Sequence, residues 1–577
     1  MKDFFKSFFA SILAVIAIAV VVLIIVLVVT SKKEKIKDHS YLVVDIYGDV
    51  LEYEPSPDIM SELIGEKPLT LQRILSNLEK ASVDERIEGV IMKLNWNNNL
   101  GYAKCEEMRG AIKKVRKAGK KVYAFSDSSD KKTYFIAAAC DKIYMPSNAF
   151  VSFEGFATAV PHIKGTLDKL GIKADLHKIK DYKSAAEIVT RKDMSAEARE
   201  NREWLMEETW EIFIKSLQED RGLTEEKIIE IMNQALFMPE KAKEFGLIDE
   251  VLYWDEIAAR LKQEKDEELR TVSQLRYDEV KPKKLGLKGK KKIAVVHAQG
   301  LIAGRESKVD IMLGLIMGHE TVNADLRRAR KDKDVAAVIF RVDSGGGDGL
   351  TSDLISRGID ITSKVKPVVV SMVDVAASGG YWISYKANKI VADPTTITGS
   401  IGSISGKFNM KGFYDKIGLT FDFVTKGPNA LILSDYRDFT KEEREIFEKT
   451  HWEDFNAWLR DVAQRRGMTF EEAEKLAHGR VWTGRQAKAN GLIDEVGGLD
   501  RAIEVAKELA KIPADEKVTI VHYPKRKSLV EMVFDGEESI MTVARCMIFH
   551  FIHEDLAETW STMTSGQLYL AEDVRIN

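Results

Sequence analysis

The stretch "AASGGYW", residues 376–382, sets one serine, Ser378, between two alanines and two glycines, just ahead of two bulky aromatics. Small neighbours around a hydroxyl suit two different jobs. They let one backbone approach another closely, or they leave an open path for a substrate to reach a nucleophile. Taken alone, the stretch allows both. A second stretch, "RVDSGGGDG" at 341–349, places a glycine triplet after an apolar run. It contains neither GxGxxG nor the GxxxxGK of a nucleotide-phosphate cradle, and its open backbone N–H groups suit an oxyanion equally well. A nucleophilic hydroxyl also needs a base. The ten histidines occupy no motif: "HFIHE" at 550–554 is not HExxH, and His297, near a strand end, reads as structural. The segment "DYKSAAEIVTRKDMS" at 181–195 offers Lys183 among small residues instead.

An internal repeat supplies the elements that must position these groups. "YLVVDIYGDV" at 41–50 answers "IAVVHAQGLI" at 293–302, and "GVIMKLN" at 89–95 answers "AVIFRVD" at 337–343. "YFIAAACDKI" at 134–143 answers "YWISYKANKI" at 381–390, "DKLGIKAD" at 168–175 answers "DKIGLTFD" at 415–422, and "AKEFGLIDEV" at 242–251 answers "AKANGLIDEV" at 487–496. The offset drifts only from 252 to 245 residues, which describes one duplicated domain and not a solenoid. In each copy short apolar runs alternate with amphipathic stretches, so the expected fold is α/β with a mainly parallel sheet. The expected layout is an anchor at 1–37, a first half at 38–280, a Lys- and Gly-rich linker at 281–292, a second half at 293–515 and a tail at 516–577.

Duplicates retain what a fold requires, so their differences point to chemistry. Lys131 stands opposite Ser378, and Lys132 and Thr133 replace the two glycines. The first copy therefore builds the helix expected there without Ala-Ser-Gly-Gly, which weakens the packing explanation. Ala430 stands opposite Lys183, and "KLNWNNNLG" at 93–101 has no glycine triplet. One copy keeps the lysine and lacks the serine, and the other does the reverse. That reciprocal loss lifts Lys183 above the usual reading of a lysine as a solvated surface charge.

Bulk properties narrow the class. A chain of 577 residues exceeds one core, and 86 Lys+Arg against 90 Asp+Glu gives no bulk charge that favours nucleic acid. Three cysteines form neither a disulfide framework nor a CxxC site. Residues 8–29 carry no charge over 22 positions, enough to span a hydrocarbon core of about 30 Å. "VVTSKKEKIK" lacks a small-x-small cleavage site, so a retained anchor is expected. Lys32, Lys33, Lys35 and Lys37 outweigh Lys2 and Lys6, which by charge alone would keep the body cytoplasmic.

"AASGGYWIS", "TGSIGSIS" at 398–405, "DYKSAAE" and "VWTGRQAKANGLIDEVG" at 481–497 together resemble signal peptide peptidase A in its long, fused two-half form. The resemblance covers nearly the whole chain after the anchor. It implies a Clp protease/crotonase-like α/β spiral in each half and a membrane-bound Ser/Lys endopeptidase without cofactor or metal. It further implies residual signal peptides as substrates, and a ring or dome, commonly a homotetramer. The catalytic body would stand outside the bacterial cytoplasmic membrane, with the N-terminus inside. By motif, Ser378 would be the nucleophile, Lys183 the general base and Ser400 the hydroxyl that orients it. The family writes "SPGG" where this chain has "SGGG", so Gly345 replaces a proline. Gly346 and the N–H of Gly379 would form the oxyanion hole, and an extended peptide would add as a strand beside Ser344 and Gly345. To act near neutral pH, the lysine must fall from about 10.4 to roughly 7–8, some 4 kcal/mol of differential stabilisation. The apolar "DIMLGLIMG" at 310–318 reads either as a core helix or as a rim handling apolar peptide. Two other readings stay open: a crotonase-type acyl-CoA enzyme, which would leave Ser378 and Lys183 without roles, and an inactive anchored scaffold.

Overall fold

The computed structural model describes residues 36–54, 68–95, 100–265, 269–310 and 312–525. The anchor expected at 8–29 and most of the tail lie outside these residues. Among the described residues no helix is long and apolar enough to cross a membrane.

Runs such as "GVIMKL" and "VVVSMV" are apolar on both faces, as strands of a covered parallel sheet must be. The first half orders its strands Arg270–Ser273, Ser40–Ile46, Ile87–Leu94, Lys121–Ser126, Lys142–Met145, Glu250–Val251, all neighbours parallel. The second repeats that order as Thr519–Tyr523, Lys292–Gln299, Val335–Ser344, Val368–Ala377, Lys389–Ala392, Glu495–Val496, again parallel. Thr519–Tyr523 thus completes the second sheet as Arg270–Ser273 completes the first. The boundary expected at 515 therefore moves outward, because an edge strand was too short to register in the repeat.

Helices cover the sheets with caps their sequences supply. Thr70 accepts from the Arg73 N–H at the start of Leu71–Val83, and Asp348 accepts from the Thr351 N–H at the start of Gly349–Ser363. The stretch at 310–318 is no core helix. Strands Lys308–Asp310 and Gly314–Met317 pair antiparallel, and Met312 (92% exposed) and Leu313 (60%) project from the connection. Gly314, at φ 71°, takes a left-handed conformation that a helix does not admit.

Among the described residues, three of the joints between the halves bear most directly on how they are fastened. Strand Lys173–Lys178 pairs antiparallel with Ile404–Asn409, a ribbon with one strand from each half. The helix Tyr102–Lys117 begins at Gly101, which has no side chain to cap it, and Asp374 of the second half does so instead. Its carboxylate accepts from the N–H groups of Gly101 at 3.2 Å and Lys104 at 3.1 Å. Arg341, fully buried, donates to Glu52 at 2.8 Å, Glu107 at 2.7 Å and Ser371 at 2.7 Å. A guanidinium without water survives only when its donors are satisfied in this way.

Candidate active site

Ser378 is the residue between strand Val368–Ala377 and the short helix Gly379–Trp382. It sits at the turn, not on the helix that the sequence suggested, with φ 56° and ψ −116°. A non-glycine residue there stores about 1–3 kcal/mol of strain and persists only when its neighbours dictate it. Here the Ser378 N–H donates to Gly399 O at 2.9 Å, and its carbonyl accepts from the Trp382 N–H at 2.9 Å. The glycines around it are required by space. A Cβ on Gly379 would lie 2.7 Å from Ser352 Oγ, and one on Gly380 would lie 2.4 Å from Ser344 O. Close packing and an open hydroxyl, posed as alternatives by the sequence, are met by the same stretch.

Lys183 follows the ribbon strand Lys173–Lys178 and immediately precedes the short helix Ser184–Ala186. Its Nζ lies 2.9 Å from Ser378 Oγ, 2.9 Å from Ser400 O and 2.8 Å from Ser400 Oγ, all within one chain. Its residue is 6% exposed, and burial pulls the ammonium pKa down from 10.5 to about 7. No charged partner contributes to that shift, so desolvation alone sets it. A neutral amine has two N–H donors and one lone pair. The two Ser400 oxygens and the Ser378 hydroxyl match that inventory, leaving the lone pair to receive the Ser378 proton.

Ser400 is also held in the left-handed region, at φ 52°, by its N–H donating to Arg480 O at 2.6 Å. Gly479 completes the enclosure. A Cβ there would stand 2.4 Å from Lys183 N and 2.5 Å from its Cα, so only glycine admits the lysine backbone so close. The sequence reading passed over Gly479, because a single glycine before strand Val481–Thr483 looks like any turn.

The remaining expected residues divide. The Gly379 N–H occupies the first position of a helix, where no intrahelical acceptor exists and the dipole favours negative charge. Gly346 approaches it so closely that a Cβ on Gly346 would lie 2.6 Å from Gly379 N. The Gly346 N–H, however, donates to Ser344 Oγ at 3.2 Å and is engaged in this state. Ser344 is buried and donates to Gly300 O at 2.6 Å. Its hydroxyl staples the loop to Gly300, while the residue still lines the groove beside the glycine triplet. Gly345 is exposed, with open space on its Cβ side, and with Gly346 and Gly347 lines a groove of about 840 Å³. Leu51, Leu301, Val309, Leu313, Leu315 and Val375 give that groove apolar walls.

The profile of Peptidase family S49 matches residues 114–268 and again 360–513, together more than half of the chain. Lys183 falls in the first match and Ser378 in the second. The chain belongs to this family and is a serine protease. It is 35% identical to "Serine protease SPPA, chloroplastic" of Arabidopsis thaliana over 474 residues, 81% of this chain and 70% of that one. To "Protease 4" of Haemophilus influenzae it is 31% identical over 478 residues, 80% of this chain and 77% of that one. A solved ClpP1 mutant from Listeria monocytogenes aligns at 17% identity with TM-score 0.25, over 36% of this chain and 94% of that one. Membership of a peptidase family sets aside the acyl-CoA reading.

Proposed function

We propose that the protein is a membrane-anchored endopeptidase of the Ser/Lys type, with Ser378 as nucleophile and Lys183 as general base. The observation that carries the proposal is the 2.9 Å approach of Lys183 Nζ to Ser378 Oγ inside a site that depresses the lysine pKa to about 7. Near neutrality the amine takes the Ser378 proton as Oγ attacks a peptide carbonyl. The Gly379 N–H and the Gly345–Gly347 loop receive the oxyanion, with Gly346 turning its N–H from Ser344 to substrate. Lys183 then protonates the leaving amine, and later draws a proton from the water that attacks the acyl-enzyme. Ser400 keeps the amine aimed through both of its oxygens.

The substrates are apolar peptides, residual signal peptides above all. An apolar-walled groove beside the glycine loop and the exposed Met312 and Leu313 support that choice. Residues 8–29 hold the enzyme in the bacterial cytoplasmic membrane, its body on the outer side, since a large domain translocates despite flanking lysines. The chain works as a homo-oligomer, a tetramer by family resemblance. Leu419, Phe421, Phe423, Val424 and Leu433, all at least 41% exposed along one loop, favour self-association. The layout is a base-bearing half at 38–280 and a nucleophile-bearing half from 293.

The test is covalent labelling by a serine-reactive acylating probe, combined with turnover of a short apolar peptide ester. Labelling confined to Ser378 and abolished in Ser378→Ala supports the mechanism. An unlabelled wild type that turns over nothing would instead describe an inactive scaffold.

A further inference from the structure

We infer that His451, paired with His177 and bonded to Ser403, is a positioning residue for the base of this protease. The inference rests on the Ser378–Lys183 mechanism above. The ribbon that joins the halves carries both sides of the base site on its end. Lys183 lies five residues beyond strand Lys173–Lys178, and Ser400 lies four residues ahead of the opposing strand Ile404–Asn409. Whatever fixes the end of the ribbon therefore fixes the distance between the lysine and its two acceptors.

Ser403 stands at that end. Its carbonyl accepts from the Ile179 N–H at 2.9 Å, closing the ribbon, and its Oγ lies 2.7 Å from His451 Nε2. His451, on helix Lys441–Arg466, places its other nitrogen 2.8 Å from Nδ1 of His177 on the opposing strand. Helix, loop and strand thus meet through one chain of hydrogen bonds, Ser403–His451–His177. The chain has two consistent proton arrangements. Either His451 donates to His177 and accepts from Ser403, or His177 donates to His451, which donates to Ser403. Both exist with neutral rings, and one survives if His177 alone is protonated. Two imidazoliums would place N–H against N–H and break it.

The surroundings favour neutrality. Burial lowers the pKa of His451 to about 4, with repulsion from His177 second, and burial also lowers His177. Among charged groups, Glu448 raises and Arg444 lowers His177 from the helix side. Arg444 is itself paired with Asp175 on the ribbon strand. Phe447 and Trp452 form apolar walls, with ring centroids 6.3 Å from His451 and His177 respectively. Lys180, paired with Glu474, precedes Lys183 in sequence, and His478, also on Glu474, precedes Gly479; no charged group contributes to the shift of Lys183.

Burial alone depresses Lys183. Loosening the Ser403 loop admits water, raises the lysine pKa and lowers the fraction of neutral base. The experiment compares His451→Phe, His451→Gln and Ser403→Ala with wild type as purified full chains. Active sites are counted with the acylating probe, and turnover of the peptide ester is followed from pH 5.5 to 9.5. His451→Phe and Ser403→Ala should each lose about tenfold in kcat per counted site, keep KM within about twofold, and move the acid limb upward by about one pH unit. His451→Gln, whose amide still serves Ser403, should stay within about threefold of wild type with the limb in place. Unchanged kcat and limb in the Phe and Ala variants, or a Gln variant as impaired as Phe, overturns the inference. If His451→Phe yields no countable sites, Ser403→Ala decides. Full activity in Ser378→Ala would defeat the mechanism itself, an outcome distinct from either.

Discussion

In the first half, strand Lys121–Ser126 stops, a two-residue strand Ser128–Ser129 follows, and Asp130 caps helix Lys131–Ala137 at an ordinary φ of −98°. In the second half a single strand, Val368–Ala377, runs unbroken to Ser378 at φ 56°. Lys131, opposite Ser378, is spent in an ion pair with Glu154. Ala430, opposite Lys183, sits in an exposed turn, whereas Lys183 is buried at the seam. The same strand order therefore supports a relaxed copy and a strained one. The strained copy carries Ser378, and the relaxed copy reaches across with Lys183. Neither half holds a complete site, which explains why the halves are joined by a shared ribbon, a borrowed helix cap and a buried guanidinium.

Removing the group unique to the second half should give the largest effect. Ser378→Ala is expected to lower turnover by at least about 1,000-fold while circular dichroism and the unfolding midpoint stay near wild type. Residual turnover within tenfold of wild type would show that the strained turn is not where the bond is made.

The group unique to the first half comes next. Lys183→Arg should be as inactive as Lys183→Ala, because a guanidinium stays protonated and cannot accept a proton. Substantial activity in the arginine variant would make Lys183 an anion-binding charge and not a base. In wild type, kcat/KM should fall about tenfold per pH unit below about 7, since only the neutral amine works. The same shift bears on stability. A lysine whose pKa drops from 10.5 unfolded to about 7 folded binds more protons when unfolded between those values. Its burial penalty is therefore fully present below about 7, about 4–5 kcal/mol, and relieved as pH rises towards 10.5. Lys183→Met should raise the unfolding midpoint at pH 7 by a few degrees while abolishing activity, offset in part by the lost bonds to Ser400. A lower midpoint would show that those bonds outweigh desolvation.

The sequence made the duplication and the reciprocal Ser378/Lys183 loss visible because both are matters of residue identity at a fixed offset. It could not show that Ser378 leaves the helix for a positive φ, since that conformation comes from the Ser378 N–H bonding to Gly399 O on the neighbouring strand and from the close approaches of Gly379 and Gly380. Nor could it show Gly479 against Lys183, or His177 against His451, pairs separated by some hundreds of residues whose meeting depends on the ribbon between the halves. The bond that fixes Ser344 was hidden for a related reason. A serine ahead of a glycine triplet reads as exposed, and only the fold reveals the Gly300 carbonyl that buries it.

Ser400→Ala should have a middling effect. The backbone oxygen of Ser400 still holds Lys183, so kcat should drop about tenfold and not vanish. Deleting one acceptor of the ammonium in a site that stays buried should move the acid limb to lower pH, opposite to the upward shift expected for His451→Phe. An unmoved limb would reduce Ser400 to a packing residue.

The smallest effect should come from trying to make the first half resemble the second. In a Ser378→Ala background, Lys131→Ser places a hydroxyl at the duplicated position, yet no turnover should return. The residue ahead of it keeps φ −98°, the hydroxyl occupies the first turn of a helix, and the counterpart of Lys183 in the other copy is the exposed Ala430. Loss of the partly exposed Lys131–Glu154 pair should change stability by no more than about 1 kcal/mol, so an inactive variant would still be a folded one. Peptide-ester turnover of the double variant, set against Ser378→Ala alone, reads this directly. Any turnover above that background would mean that residue identity suffices and that the strained turn of the second half adds nothing. None would mean that a serine becomes a nucleophile here only where the strand delivers it, at positive φ, to a lysine that the other half has already stripped of water.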